Sequence, residues 1–217
     1  MSEQVIALKS NALTTLDRVK QMLGIPNDDV DQTRDSIIAS MINSASAWFE
    51  SQTGRKFKQT TYTERYQGSS SQELCLRQYP IVEIESVTDA SNNAIIDASQ
   101  YSIEDTGHIG IVWKDDGWGM RALPYGLASD PLFSRSYIEV KYKAGYILPK
   151  DATAEDPATL PSDIEAVIWE MAQQQYKLMQ DGAFNLTSFS ISDVSWTWDK
   201  EQKQSWLDTI ATHKRWM

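Results

Sequence analysis

Two histidines, His108 and His213, and one cysteine, Cys75, are the only imidazoles and thiol in this 217-residue chain. Nucleophilic catalysis needs a nucleophile within reach of a base, and neither histidine has one at a recognisable spacing. Both read as surface or packing residues. A structural zinc cage needs about four Cys or His ligands, more than the chain owns. A lone thiol also makes no disulfide, so Cys75 reads as a small buried hydrophobe. Glu83 and Glu85 are the nearest thing to a catalytic carboxylate pair, yet two like charges on an exposed strand face account for them more simply. Asn27, Asp29 and Asp31 imitate the first ligands of a calcium loop. Gln32 stands where that loop needs glycine and Ile38 where it needs a bidentate Glu, so these acids read as helix N-terminal charges. The basic cluster Arg55-Lys56-Phe57-Lys58 reads as a solvated helix end rather than a phosphate contact. Asn185-Leu186-Thr187 is a glycosylation sequon by letters only. Walker-type and dinucleotide loops are absent. The residues thus predict no catalytic set, no cofactor and no metal.

The elements that would position these side chains are helical first. Thr14, with Asp17 three residues on, predicts a capping box for a first helix. Its stripe is Leu16, Val19 and Leu23, with Lys20 at the edge. Gly24 and Pro26 end it. Asp28, Asp29 and Asp31 favour the start of a second helix. Ile37, Ile38, Met41, Ile42, Ala45, Trp48 and Phe49 recur at helical steps up to Gly54. Residues 58–67 then alternate with a period of two, as strands do. Leu74 and Leu76, Ile81 to Val87, Tyr101 and Ile103, Ile109 to Trp113, and Tyr137 to Tyr142 continue the pattern. About six short strands with close turn signals predict an antiparallel β-domain. Two long loops, 115–136 and 147–161, are of a length that often orders on a partner. A third helix starts at Ser162, with Glu165 as its capping-box partner, and ends at Gly182. Beyond it lies an extended aromatic stretch, then a last helix from Asp199.

Composition narrows the function classes. Lys and Arg total 20 against 30 Asp and Glu, a net charge of −10, which disfavours a general duplex-DNA binder. No apolar run approaches the ~20 residues of a membrane span. Met1 to Ser10 lack the pattern of a secretory signal, and a reducing, cytosolic origin is expected. The charge is uneven: residues 151–182 hold seven acids and one base, whereas residues 183–217 hold four of each. Four of the eight tryptophans, Trp196, Trp198, Trp206 and Trp216, fall in that neutral tail. Large aromatic side chains anchor interfaces, so the tail reads as a docking arm, the alternative being that it folds back as core.

The order of motifs carries a resemblance. Leu13-Thr14-Thr15-Leu16-Asp17-Arg18-Val19-Lys20 with Leu23-Gly24-Ile25 is followed by Ser46-Ala47-Trp48-Phe49-Glu50-Ser51-Gln52-Thr53-Gly54-Arg55. Thr63-Glu64-Arg65-Tyr66, Leu76-Arg77-Gln78-Tyr79-Pro80-Ile81, Tyr142-Lys143-Ala144-Gly145-Tyr146 and Leu160-Pro161-Ser162-Asp163-Ile164 come next. Over residues 13–182 the chain resembles the head–tail connector (adaptor) proteins of tailed bacteriophages, in the long form that carries a β-insertion. The fold expected is α+β: a helical connector core of about four helices, an inserted antiparallel β-domain and an extended aromatic C-terminal arm. The divisions are 1–56 (helical hairpin), 57–147 (β-domain), 148–182 (acidic loop and third helix) and 183–217 (arm and terminal helix).

The resemblance implies a structural virion protein without catalysis. It would form a ring, typically twelvefold, under the portal protein in the neck at the portal vertex, and would be made in the host bacterial cytoplasm. The ring would extend the channel for double-stranded DNA, pass that DNA without specific binding, and offer a surface to stopper or tail proteins. No membrane is involved. Portal docking falls to Phe189, Ile191, Trp196, Trp198, Trp206 and Trp216, and an acidic channel wall to Glu165, Glu170 and Asp181. The competing readings are another neck protein, such as a stopper or tail terminator, a carbohydrate-binding β-module using Trp113 and Trp118, and a small acidic enzyme.

Overall fold

A computed structural model of the chain describes residues 6–68, 71–90, 93–105, 109–119, 137–180, 190–191, 194–195 and 200–214. The chain divides into two compact units, one of residues 1–57 with 147–214, the other essentially residues 58–146. Each is built on its own logic.

The first unit is helical. α1 (Leu16–Met22) is capped by Thr15, whose side chain accepts from the Arg18 amide. The cap is therefore one residue later than Thr14, which turns inward instead. Gly24 takes the left-handed backbone (φ 71°) that stops the helix, as its type predicts. α2 (Gln32–Thr53) starts on the Asp31 side chain, which accepts from the amides of Thr33 and Arg34. One face of α2 buries Ile38, Met41, Ile42, Ala45, Phe49 and Thr53, at the three- and four-residue steps that keep a helix stripe together.

A second stripe on α2 is polar and holds the extended segment before α1. Ser36 Oγ accepts from the Ile6 amide, Asn43 binds both the Lys9 amide (2.8 Å) and the Ala7 carbonyl (3.0 Å), and Ser46 Oγ accepts from the Leu13 amide. Glu50 accepts from the Asn11 amide group at 2.9 Å. Backbone groups with no helix or sheet partner are thus satisfied side chain by side chain. α3 (Ser162–Gln180) and α4 (Lys200–His213) complete the unit, together with a two-residue pairing of β8 (Ser190–Ile191) and β9 (Val194–Ser195).

The second unit is a pair of antiparallel sheets. β1 (Thr60–Gln67), β7 (Tyr137–Ala144), β3 (Ile81–Asp89) and β4 (Ala94–Ile96) form one, in the order β1-β7-β3-β4. β2 (Glu73–Leu76), β6 (Gly110–Trp113) and β5 (Ser102–Asp105) form the other, in the order β2-β6-β5. Alternate residues face inward, so Ile138, Val140, Tyr142 and Ala144 of β7 meet Leu74 and Leu76 of β2 and Val112 of β6 in one core with Trp118. Burying each such aliphatic side chain is worth about 1.5–3 kcal/mol. β4 is an addition to the expected strands: its three residues sit between turn residues and show no alternation of their own. The unit enters and leaves at adjacent points, because the Gln59 amide donates to the Tyr146 carbonyl at 2.8 Å.

Candidate interaction surfaces

Part of the acid of residues 151–182 is used inside the helical unit. Glu165 is only 5% exposed. Arg18 Nη1 donates to both its carboxylate oxygens (2.7 and 2.6 Å), and the Thr14 hydroxyl donates to one of them at 2.7 Å. Thr14 in turn accepts from Trp169 Nε1 at 2.8 Å. Glu165 is therefore an internal ion-pair partner of α1. It completes no capping box at Ser162 and offers no carboxylate to a channel wall, which corrects that expectation for this residue. Glu170 Oε2 accepts from Trp206 Nε1 at 2.6 Å. Asp163 Oδ2 lies 2.7 Å from His213 Nε2, and Asp151 pairs with Lys150. Among the described residues there, Asp151, Glu155, Asp156 and Asp163 remain exposed, Glu155 and Asp156 without an ion pair; Asp181 lies outside the described residues.

The loop 147–161 closes on itself. The Thr159 amide donates to the Ile147 carbonyl, the Ile147 amide to Thr159 Oγ1, and the Asp156 amide to Thr153 Oγ1. It needs no partner to satisfy these groups. The other long loop lies outside the described residues from Met120 to Ser136.

The aromatic tail is placed only in part. Trp206 is 7% exposed and Ile210 6% exposed, so both are core residues that fix α4 to the unit. This corrects the assignment of Trp206 as a free docking anchor: its apolar ring is covered and its one donor is spent on Glu170. His213 is equally covered, and its carbonyl accepts from Arg55 Nη1 at 3.1 Å. Phe189, Trp196, Trp198 and Trp216 lie outside the described residues. Of Ile191 only the backbone, in β8, is described.

Other residues depart from their sequence reading. Arg55 and Phe57 are buried, with the guanidinium 5.0 Å from the Phe57 ring centroid. The basic cluster is thus solvated only in part: Lys56 stays exposed, while Arg55 anchors the carbonyl end of α4. Lys20 is buried and donates to the Asp29 carbonyl at 2.7 Å. Cys75 is exposed on β2, not buried, because Leu74 and Leu76 take the inward positions. Trp118 is 1% exposed, with Nε1 shared between the carbonyls of Val112 and Gln72; its ring offers no face to a sugar. β3 is irregular between Ile84 and Ser86, which leaves Glu85 without a register partner on β7. Glu85 instead binds Lys141 (2.7 Å) and the Thr61 hydroxyl. These two bonds, the lysine's first, hold its carboxyl below the ordinary value of 4.5. His108 lies outside the described residues.

An inward carboxylate also ties the β unit. The phenols of Tyr66 and Tyr142 both donate to Glu64 Oε2. Burial, first of all, pushes both phenols well above their ordinary range. Tyr142 also accepts from the Gln78 amide and Tyr66 from the Arg77 amide, so the knot joins β1, β7 and the turn after β2. Among the described residues no three His, Cys, Asp or Glu side chains come together as a metal site. No described helix is long and apolar enough to cross a membrane.

Comparison with known proteins places this arrangement. The family model for head completion proteins matches residues 12–120, just over half of the chain. The chain belongs to the head completion protein family. The fold matches a chain from the neck of an empty GTA particle treated with C6 symmetry, with a TM-score of 0.54 at 12% identity, over 100% of this chain and 97% of that one. A chain from the virion of a native gene transfer agent particle gives 0.54 at 14% identity over 100% and 97%. One from the neck of a native GTA particle with C12 symmetry gives 0.51 at 11% over 99% and 97%. At these identities the likeness is one of fold. Among curated proteins none matches. Family and fold together define a structural protein of phage-like virions, of the class found in the neck.

Proposed function

We propose that this chain is the adaptor of a head–tail connector. It forms a ring, of twelve copies, that docks under the portal, extends the DNA channel and presents the surface to which a stopper or the tail attaches. The supporting observation is that the whole chain, not one unit of it, shares its fold with a chain from a GTA neck computed with C12 symmetry. The role needs no catalysis. The portal-docking arm is the segment 183–199 with Phe189, Ile191, Trp196 and Trp198, and Trp216 beyond α4; Trp206 serves as its internal anchor. Glu170 and Asp181, with the exposed Glu155 and Asp156, are the acids assigned to the channel side, where at physiological salt they would act within about 8 Å.

The test is substitution rather than truncation. Deleting residues 183–217 would also remove α4 and uncover the α2 and α3 surfaces it covers. Trp196→Ala with Trp198→Ala leaves α4 in place. The doubly substituted protein is expected to keep its helical content and to lose attachment to portal-containing heads in co-sedimentation. Attachment at the wild-type level would overturn the docking assignment. Negative-stain images of heads with bound protein separate an adaptor, seated on the portal itself, from a stopper, which would bind only after another ring is in place.

A further inference from the structure

The two sheets of the β unit end on two sides of opposite character. One side is formed by edge strands β1 and β2, which are joined by residues 68–72. The other is formed by edge strands β4 and β5, joined by residues 97–101. The β4–β5 side carries Asp97 and Glu104, both exposed, and residues 94–104 contain no Lys or Arg. It also carries two of the exposed large hydrophobic residues, Ile95 at 77% and Ile103 at 43%. The β1–β2 side presents Arg65 and Arg77, both exposed. Arg77 donates to the Arg65 carbonyl and lies over the Tyr66 ring, and Arg65 reaches Glu139. Glu64 on that side is turned inward onto the two phenols, which leaves Glu73 as its exposed acid.

Edge strands invite pairing, and proteins that must stay apart guard them with charge rather than with exposed isoleucine. Here the acid forbids one kind of pairing and permits another. Two β4–β5 sides brought together would oppose acid to acid, which costs association free energy. A β4–β5 side against a β1–β2 side opposes acid to base and covers Ile95 and Ile103. Such a contact joins two different patches, so it propagates from copy to copy and closes only by rotation.

We propose that the β unit is a contact between neighbouring copies of this chain, the β4–β5 side of one against the β1–β2 side of the next. The inference rests on the ring reading above and names the surface the copies share.

Cysteine cross-linking of the full chain tests it. In a Cys75→Ser background, Thr63→Cys on β1 and Ile95→Cys on β4 are combined, and the protein is oxidised mildly. The expected product is a ladder extending beyond the dimer, absent with either cysteine alone. Arg65→Glu is expected to lower the ladder yield about tenfold, equivalent to about 1.4 kcal/mol, and Glu104→Lys to restore it. No ladder, or dimers from Ile95→Cys alone, would overturn the proposal. Negative-stain images of the uncross-linked protein separate the two readings. Closed rings without a ladder refute this contact and leave the ring standing. A ladder without closed rings supports the contact and counts against the ring. Circular dichroism of each variant checks that the fold is kept.

Discussion

Glu165 is a carboxylate that works inside the protein. Its partners, Arg18 on α1 and Thr14 just before it, are 147 and 151 residues away in sequence, so nothing near it announces the pairing. Removing the carboxylate leaves the Thr14 hydroxyl without its acceptor and Arg18 without its counter-ion. Arg18 is 45% exposed, so water takes over part of its need. Glu165→Ala is expected to cost about 2 kcal/mol, which for a chain of this size lowers the melting temperature by about 4–8 °C. Thermal unfolding checks it, and an unchanged Tm would mean the pair contributes nothing. Glu85 offers a pH test. Its folded value lies below the ordinary one of 4.5. Its bonds to Lys141 and Thr61 therefore favour the folded state above that pH, and the benefit is lost as pH falls through the lowered folded value. Carbon-detected NMR titration should show Glu85 titrating below 4.5. Lys141→Ala should bring it back towards 4.5, and no movement would remove the lysine as the cause.

Elements differ in how they are held. α4 is fixed by Trp206 on Glu170, His213 on Asp163 and the Arg55 guanidinium on its last carbonyl. Trp206→Ala empties a covered site and is expected to cost about 3–5 kcal/mol, read as an earlier loss of helical signal on heating. A cost below 1 kcal/mol would show that α4 is not held by its tryptophan. In the β unit, a Cβ on Gly68 would lie 2.2 Å from the Gly119 carbonyl oxygen. Gly68→Ala must therefore displace the 117–119 turn, and Trp118 with it, from the core, and a lowered denaturation midpoint is expected. Much of this element plan is legible in the residues. Gly24 and Gly54 mark helix ends, and the period-two stretches mark β1, β2, β3, β5, β6 and β7. β4 escapes because three residues cannot show a period. The burial of Arg55 escapes because a run of basic residues looks solvated until α4, far along the chain, returns to cover it. The polar stripe Ser36, Asn43, Ser46, Glu50 escapes too, because its use depends on an extended segment that has no pattern of its own.

At the scale of the whole molecule, the net charge of −10 opposes retention of duplex DNA, whose binding rests on cationic contacts to phosphate. Fluorescence anisotropy with a labelled duplex near 150 mM salt is expected to show no saturable binding; a micromolar affinity would refute a channel that lets DNA pass. Family and fold were legible from the order of motifs, because that order spans both units, whereas the copy-to-copy surface was not, because it depends on which strands end up at sheet edges. The junction at Lys58 and Tyr146 carries a last consequence. A loop whose two ends are already held together adds little closure entropy as it lengthens. The β unit therefore sits in the chain as a cassette. Genes can gain, lose or exchange it at that one seam, and a laboratory can splice a short linker or a foreign domain there while the helical frame keeps its own caps and core.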